Sequence, residues 1–229
     1  MDTVNLNTGE FIINKNGHSE IELFLKEGVA NFLDELSQYI NDNADPGIVS
    51  YATEMTMASL FVSGNLKRNP LLTAVQEYYI NLEDKEKQKK GGRPDIFMKS
   101  GGNAIWIECK YEGEIKTLRS GHWDMEQYVE RDYRDVFPQL YKYYNSEKNV
   151  LNNSYNRRFL VSLSLKLIRE NKAEHLSKVD NNLKTKVNTA YDRGWFYQVG
   201  FFPSPDDNQI GLEVYGTFKE VFKETSLIA

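Results

Sequence analysis

The sequence predicts an α/β fold in which a mixed central β-sheet is flanked by helices. Segments with helical patterning alternate with short runs rich in β-branched and aromatic residues. No internal repeat and no Pro/Ser-rich linker divides the 229 residues, and this length suits one well-filled core. We therefore expect a single domain over residues 1–229.

The composition narrows the class of protein. No apolar run approaches the roughly 20 residues of a membrane span, and the first residues, MDTVNLNTGE, lack the basic start and apolar stretch of a secretory signal. Cys109 is the only cysteine, which excludes an internal disulfide and a cysteine-based zinc cluster. These observations predict a cytoplasmic protein without a membrane partner. The net charge of −5 argues against a simple electrostatic nucleic-acid binder, but not against an enzyme that brings cations to a phosphate.

Two helices are predicted in the first third of the chain. Ser19, followed three residues later by a glutamate, forms a capping box that begins a helix running to about Ile40. Asp45-Pro46 supplies an N-cap and a proline at the first helical position of a second helix. This helix is predicted to run to about Ser63 and to end near Gly64-Asn65.

Three strands are predicted next, over residues 71–80, 94–98 and 104–111. The turn residues of segment 99–103, with two glycines at its centre, predict a hairpin between the second and third strands. The charged segment 83–93 is predicted to be a loop that leads into this hairpin.

The second half of the chain is predicted to complete the sheet. A charged helix covers about residues 123–146, in which Pro138 forces a kink or a restart. It is followed by a strand, a helix and two closing strands, at about 158–168, 172–192, 195–202 and 209–218. This order predicts a mixed sheet with helices against it.

The strand over residues 105–110 suggests the chemistry. Side chains alternate between the two faces of a strand, with Ile105, Ile107 and Cys109 on one face and Trp106, Glu108 and Lys110 on the other. The many apolar residues predict a central, buried strand. A carboxylate and an ammonium side by side in such a strand are costly unless they pair or hold a charged group.

Asp95 precedes Glu108 by 13 residues, at the start of the partner strand. Folding the hairpin brings Asp95 level with Glu108. Two carboxylates that converge at a strand end form an oxygen site suited to Mg²⁺ or Mn²⁺. Lys110, two residues beyond Glu108, is placed to orient the attacking water or to neutralise a phosphate.

The segments Arg93-Pro94-Asp95-Ile96 and Ile107-Glu108-Cys109-Lys110 together resemble the PD-(D/E)XK nuclease superfamily, which includes many restriction endonucleases and repair nucleases. The resemblance implies a restriction endonuclease-like core over about residues 47–168. It also implies that Asp95, Glu108 and the backbone carbonyl of Cys109 bind Mg²⁺, for which Mn²⁺ is a substitute, and that Lys110 is catalytic.

The E-x-K tripeptide alone carries little information, because it also occurs at 83–85, 114–116 and 170–172. Only the copy at 108–110 has a preceding Pro-Asp, a hairpin turn and an apolar strand in this order. The competing interpretation is a strand that carries one surface ion pair.

Glu54 is the only charged residue in segment 51–63. Its neighbours on a helix are almost all apolar, and a glutamate is rarely buried without a partner. The superfamily commonly places a glutamate on a helix before the first core strand, so the resemblance implies that Glu54 belongs to the catalytic set and either completes the metal site or contacts a bound water. The alternative is a carboxylate that reaches solvent past small residues.

Five residues are candidates for substrate binding. Gln139 and Tyr143 lie four residues apart, which resembles a Q-x-x-x-Y element of some branches, in which the glutamine helps to bind substrate. Packing is the alternative for the tyrosine. The basic run before Asp95, which includes Lys89, Lys90 and Arg93, is placed to grip phosphates, although such runs are usually solvated loops.

The expected function is therefore metal-dependent hydrolysis of phosphodiester bonds in nucleic acid. The resemblance favours DNA over RNA as the substrate. A homodimer that cuts both strands is an arrangement that stays open. A catalytically inactive relative that binds nucleic acid or protein is the alternative, and a hydrolase of another phosphate ester is the third.

Overall fold

The computed structural model describes residues 6–13, 19–43, 47–76, 94–116, 130–147, 155–186, 194–203 and 208–221. The helices in these ranges are α1 (Ser19–Asn43), α2 (Ile48–Tyr51), α3 (Glu54–Arg68), α4 (Phe137–Glu147) and α5 (Lys172–Lys186). A π-helical turn, Asp132–Val136, directly precedes α4. None of the described helices is both long and apolar enough to cross a membrane.

The strands of these ranges form one mixed sheet. They are β1 (Asn7–Thr8), β2 (Ile12–Ile13), β3 (Thr73–Gln76), β4 (Ile96–Ser100), β5 (Asn103–Lys116), β6 (Arg157–Asn171), β7 (Gly194–Phe201) and β8 (Asn208–Glu220). Their order is β1-β7-β8-β6-β5-β4-β3, and β2 also pairs with β7. β5 and β6 are parallel, whereas the other pairs are antiparallel. The predicted α/β class with a mixed sheet is confirmed.

Helices cover both faces of the sheet. On one face, buried residues of α1, α2 and α3 pack against apolar residues of β5 and β6, among them Phe32, Val49, Phe61, Ile107 and Val161. On the other face, α4 packs against β4, β5 and β6 through residues that include Phe97, Trp106, Phe137, Leu140 and Leu160. The predicted alternation of β5 is confirmed, because its two sets of side chains enter these separate clusters.

The closing helix α5 is fixed by a buried polar contact. His175 lies within α5, and its Nε2 is 2.8 Å from the hydroxyl of Tyr197 on β7. The same hydroxyl donates to Glu213 on β8 at 3.0 Å. His175 and Glu213 are both 0% exposed, so the contact belongs to the interior of the fold.

The prediction of one continuous helix from Pro46 to Ser63 is wrong. Ala52 is extended, with φ −65° and ψ 152°, and separates α2 from α3. Thr53 is the N-cap of α3, since its side chain accepts a hydrogen bond from the backbone N–H of Thr56. The Thr56 side chain in turn accepts one from the backbone N–H of Thr53, which completes a capping box. A second cap inside the segment therefore restarts the helix.

The predicted stop near Gly64-Asn65 is also wrong, because α3 continues to Arg68. A Cβ at position 64 would lie 2.5 Å from the carbonyl oxygen of Asn31, so Gly64 permits the close approach of α1 and α3. The Asn65 amide donates to Gly28 of α1 at 3.1 Å. Both residues serve contacts between helices instead of a helix end.

The predicted hairpin is confirmed. Gly101 and Gly102 have φ angles of +56° and +88°, a conformation that favours glycine. β5 continues beyond the predicted residue 111 to Lys116. Residues 77–80 and 187–192, the ends of a predicted strand and of a predicted helix, lie outside the described residues.

Candidate active site

The β4–β5 hairpin brings Asp95 and Glu108 to the same level. Ile96 pairs with Ile107, so the residue before Ile96 lies opposite the residue after Ile107. The carboxylate oxygen Oδ2 of Asp95 accepts a hydrogen bond from the backbone N–H of Cys109 at 2.7 Å. Asp95 is therefore held directly before the first residue of β4, with its side chain against the neighbouring strand.

Glu108 is a buried carboxylate, with 2% of the residue exposed. Its Oε1 accepts hydrogen bonds from Lys110 Nζ at 2.9 Å and from Gln139 Nε2 at 2.8 Å. Its Oε2 is also buried and has no hydrogen-bond partner in the part of the chain that the structure describes. An unpartnered buried carboxylate oxygen is costly, which indicates a position suited to an additional positive ligand.

Burial and the negative charge of Asp95 raise the pKa of Glu108 to about 7, against the stabilising contact with Lys110. Burial opposes the charge on Lys110, but the hydrogen bond and charge of Glu108, with Glu54 and Asp95, raise the pKa of Lys110 above its ordinary value. Lys110 is therefore a cation at neutral pH, among carboxylates that repel one another.

Glu54 reaches the same place from the first turn of α3. Its Oε1 lies 3.4 Å from Lys110 Nζ, and its Oε2 accepts from the backbone N–H of Tyr111 at 3.3 Å. Thr53 caps the N-terminus of α3, so Glu54 is the first residue of this helix and the cap determines its position. Lys110 therefore lies between Glu54 and Glu108.

Tyr111 is a positioning residue that the sequence did not indicate. Its hydroxyl donates to the carbonyl of Val49, which ties α2 to β5. Burial raises the pKa of Tyr111, so this hydroxyl keeps its proton. In the sequence it was one of several tyrosines next to polar residues, and only the fold shows which backbone carbonyl it meets.

The structure brings Gln139 and Tyr143 to the site from α4, on the other side of Glu108. Gln139 Nε2 donates to Glu108 Oε1 at 2.8 Å and lies 2.7 Å from the Tyr143 hydroxyl. Tyr143 is buried and Tyr144 packs against Trp106, so these aromatic rings belong to the interior. Lys89, Lys90 and Arg93 lie outside the described residues, and their phosphate contacts stay a prediction.

Arg131 extends the polar face beyond Lys110 and was missed in the sequence. Its guanidinium lies 3.2 Å from Glu112 of β5 and donates to the Tyr215 hydroxyl of β8 at 2.9 Å. It also contacts Ser164, the β6 partner of Lys110 in the parallel register, at 3.3 Å. These partners lie far apart in the chain, so no local pattern could have indicated them.

The residues fit a magnesium ion held by two carboxylates. Within the described ranges, no group of three or more His, Cys, Asp or Glu side chains is arranged to hold a metal ion. Mg²⁺ is usually bound through one or two carboxylates and keeps several waters. Asp95 and Glu108 are two such carboxylates, and Oε2 of Glu108 has no hydrogen-bond partner among the described residues. A metal contact by Glu54, which instead meets Lys110 and Tyr111, stays a prediction.

The backbone carbonyl of Cys109 points to the same side of β5 as Asp95. The N–H and C=O of one strand residue point toward the same neighbouring strand, and the N–H of Cys109 meets Asp95. The Cys109 side chain is buried in the core on the opposite face from Glu108. The thiol is therefore a packing group and the backbone is the part that faces the site.

Comparisons of the chain with protein-family models, with curated proteins and with solved structures find no match.

Proposed function

We propose that the chain is a metal-dependent nuclease that hydrolyses phosphodiester bonds, with Asp95, Glu108 and Lys110 as its centre. One observation carries the proposal. Asp95 lies at the strand position beside Glu108, whose carboxylate has one buried oxygen without a partner among the described residues and holds Lys110 Nζ at 2.9 Å. Burial and the neighbouring Asp95 raise the pKa of Glu108 to about 7, and buried groups perturbed in this way are concentrated at functional sites.

Asp95, Glu108 and the carbonyl of Cys109 are the groups that would hold Mg²⁺. The chemistry that Mg²⁺ supplies in such a site is positive charge for the phosphate oxygens and acidification of a water molecule. The fit rests on residues of one hairpin, which a strand pair holds rigidly. Mn²⁺, with the same preference for oxygen ligands, is the expected substitute.

Lys110 acts as a fixed cation that orients the attacking water and the phosphate. The hydrogen bond and charge of Glu108 raise the pKa of Lys110, which favours the charged ammonium over an amine that acts as a general base. Glu54 and Glu108 hold the ammonium from two sides at 3.4 and 2.9 Å. Gln139 holds Glu108 in turn, so that its remaining oxygen stays directed to the ligand.

The substrate in this proposal is a nucleic acid, with DNA favoured over RNA by the resemblance to the PD-(D/E)XK nucleases. The same resemblance implies hydrolysis that leaves a 5′-phosphate and a 3′-hydroxyl. The net charge of −5 is consistent with a substrate that is held mainly near the cation and the basic side chains around it.

Lys110→Ala tests the proposal. Purified protein is incubated with plasmid DNA and with labelled DNA and RNA oligonucleotides in Mg²⁺, in Mn²⁺ and in EDTA. We expect cutting only with metal, and a loss of about 100-fold or more in Lys110→Ala, the size of one lost electrostatic contact to the transition state. Cutting that persists in EDTA, or that survives in Lys110→Ala, would overturn the proposal.

Lys67→Ala is the matched control. Lys67 also pairs with a glutamate, at 2.6 Å from Glu35 of α1, and this pair contains no residue of the proposed site. Its loss should leave cutting unchanged, so a general effect of removing a lysine is separated from an effect at the site.

A further inference from the structure

A cleft of about 480 Å³ opens directly beside the proposed catalytic residues. It is lined by Thr53, Glu54, Met55, Ala58, Gln76 and Asp95. Glu54 and Asp95 belong to both the cleft and the site, so an occupant of the cleft is the immediate neighbour of a phosphate held at Asp95 and Glu108. The volume is in the range of small-molecule sites.

Apart from the cation that the proposed function assigns to Asp95, the described lining of the cleft offers no positive charge to a second phosphate. Two of its described lining residues are acidic and none is a lysine or arginine. A neutral group that carries N–H donors suits such walls better, because a carboxylate accepts hydrogen bonds from amino groups. The exocyclic amines of nucleobases are donors of this kind.

The other walls offer apolar area and an amide. Met55 is 59% exposed and presents a polarisable thioether, a group that packs well against aromatic rings. Gln76 is the last residue of β3. Its Nε2 lies 3.1 Å and its Oε1 3.2 Å from the Ser59 hydroxyl. The cleft therefore combines a soft apolar wall with polar groups at its edge.

We propose that the cleft receives the base of the nucleotide next to the scissile phosphate, so that the enzyme prefers an unpaired substrate. This inference rests on the proposed nuclease function and names its substrate class. A paired base must leave its stack and its partner before it can enter a pocket, whereas an unpaired base is free to do so. Single-stranded ends, flaps and gaps are the substrates that satisfy this condition.

Met55→Trp tests the inference by filling the cleft, with Leu66→Trp as the matched control. Leu66 is a 40% exposed residue of the same helix that does not line the cleft. With wild type, we expect single-stranded oligonucleotides to be cut with a higher kcat/KM than the same sequence in a duplex. Met55→Trp should lower kcat/KM for the single strand on the order of tenfold, the size of one base-stacking contact. Leu66→Trp should not.

An abasic nucleotide moved along the substrate identifies the position that is read. At one position it should lower wild-type kcat/KM by a similar factor, and Met55→Trp should then add no further loss, because both changes remove the same contact. Equal cutting of single strand and duplex, or equal effects of the two tryptophan variants, would overturn the inference while leaving the nuclease proposal intact.

Binding is read independently of cutting, through the fluorescence of a 2-aminopurine base in a single-stranded oligonucleotide in EDTA. Wild type and Leu66→Trp should change this signal on binding, and Met55→Trp should change it much less. If wild type cuts no substrate, the nuclease proposal fails, and the fluorescence still decides whether the cleft takes a base.

Discussion

Glu108 combines two demands that oppose each other in a folded protein. It occupies a core position of β5 with 2% exposure, yet the proposed metal site requires its ionised form. Lys110 and Gln139 donate to one of its oxygens, and no described residue donates to the other. Residues of this kind lower stability in order to hold a ligand, and they are concentrated at functional sites.

The cost of ionising Glu108 predicts a pH-dependent effect of Glu108→Gln. The folded pKa is about 7 and the ordinary value is 4.5, so between these values the folded state holds more protons than the unfolded state. The free energy of unfolding therefore falls as pH rises from 4.5 to 7. Above pH 7 the stability that protonated Glu108 contributes stays lost. Glutamine does not ionise, so we expect Glu108→Gln to be more stable by about 2–3 kcal/mol at pH 8, with the gain vanishing near pH 4.5.

Urea denaturation in EDTA across this pH range measures the effect. Asp34→Asn is the control, since Asp34 forms an exposed pair with Arg68 at 3.3 Å, and such pairs contribute little. A gain in Glu108→Gln that is the same at pH 4.5 and pH 8 would contradict the electrostatic explanation.

At the scale of elements, the break between α2 and α3 sets the direction from which Glu54 approaches. α2 ends at Tyr51, and α3 begins at Glu54 because Thr53 caps it. A single helix over both segments would carry residue 54 in its middle, without the change of direction that aims it at Lys110. Tyr111 fixes the short α2 to β5, so both sides of the break are tied to the site.

Thr53→Ala removes this cap. We expect the free energy of unfolding to fall by about 1 kcal/mol, the ordinary cost of losing a threonine N-cap. Thr53→Ser keeps the hydroxyl and should stay close to wild type. The measurement is chemical denaturation of the three proteins in parallel. An equal loss in both variants would indicate that the methyl group, and not the cap, is the stabilising part.

The sequence predicted the elements whose signals are local. Two glycines in a turn and an alternating strand were sufficient to place Asp95 beside Glu108, and a four-residue spacing was sufficient to pair Gln139 with Tyr143. The helix break was missed, since Thr53 resembles any other threonine until its partner at position 56 is in place. The two-residue strands β1 and β2 carry no pattern of their own, because pairing with the distant β7 defines them. Arg131 and Tyr111 were missed for the same reason.

At the scale of the whole molecule, the site is a meeting point of three parts of the chain. The hairpin supplies Asp95, Glu108 and Lys110, the paired helices α2 and α3 supply Glu54 from one face, and α4 supplies Gln139 from the other. Contacts from both faces therefore converge on one strand end. A ligand bound there stabilises the folded state as a whole, because the unfolded chain does not bring these groups together.

Metal binding should therefore be visible in thermal unfolding. We expect saturating Mg²⁺ or Mn²⁺ to raise the Tm by about 5–11 °C over EDTA at pH 8, as a ligand at 100 times its Kd does for a domain of this size. The increase should be smaller at pH 6, where protons compete for Glu108. Asp95→Asn should abolish most of the increase and Asp34→Asn should retain it. An increase that Asp95→Asn leaves intact would place the ion elsewhere.

The parallel arrangement of β5 and β6 also has a consequence for the order of folding. Parallel neighbours cannot be joined by a tight turn and need a long crossover, here residues 117–156, which include α4. The two acidic groups lie on one hairpin and meet through short-range closure, whereas the amide of Gln139 arrives only when the crossover docks. Contacts that are distant in the sequence form slowly. A nascent chain would thus assemble the acidic pair first and acquire its supporting amide last.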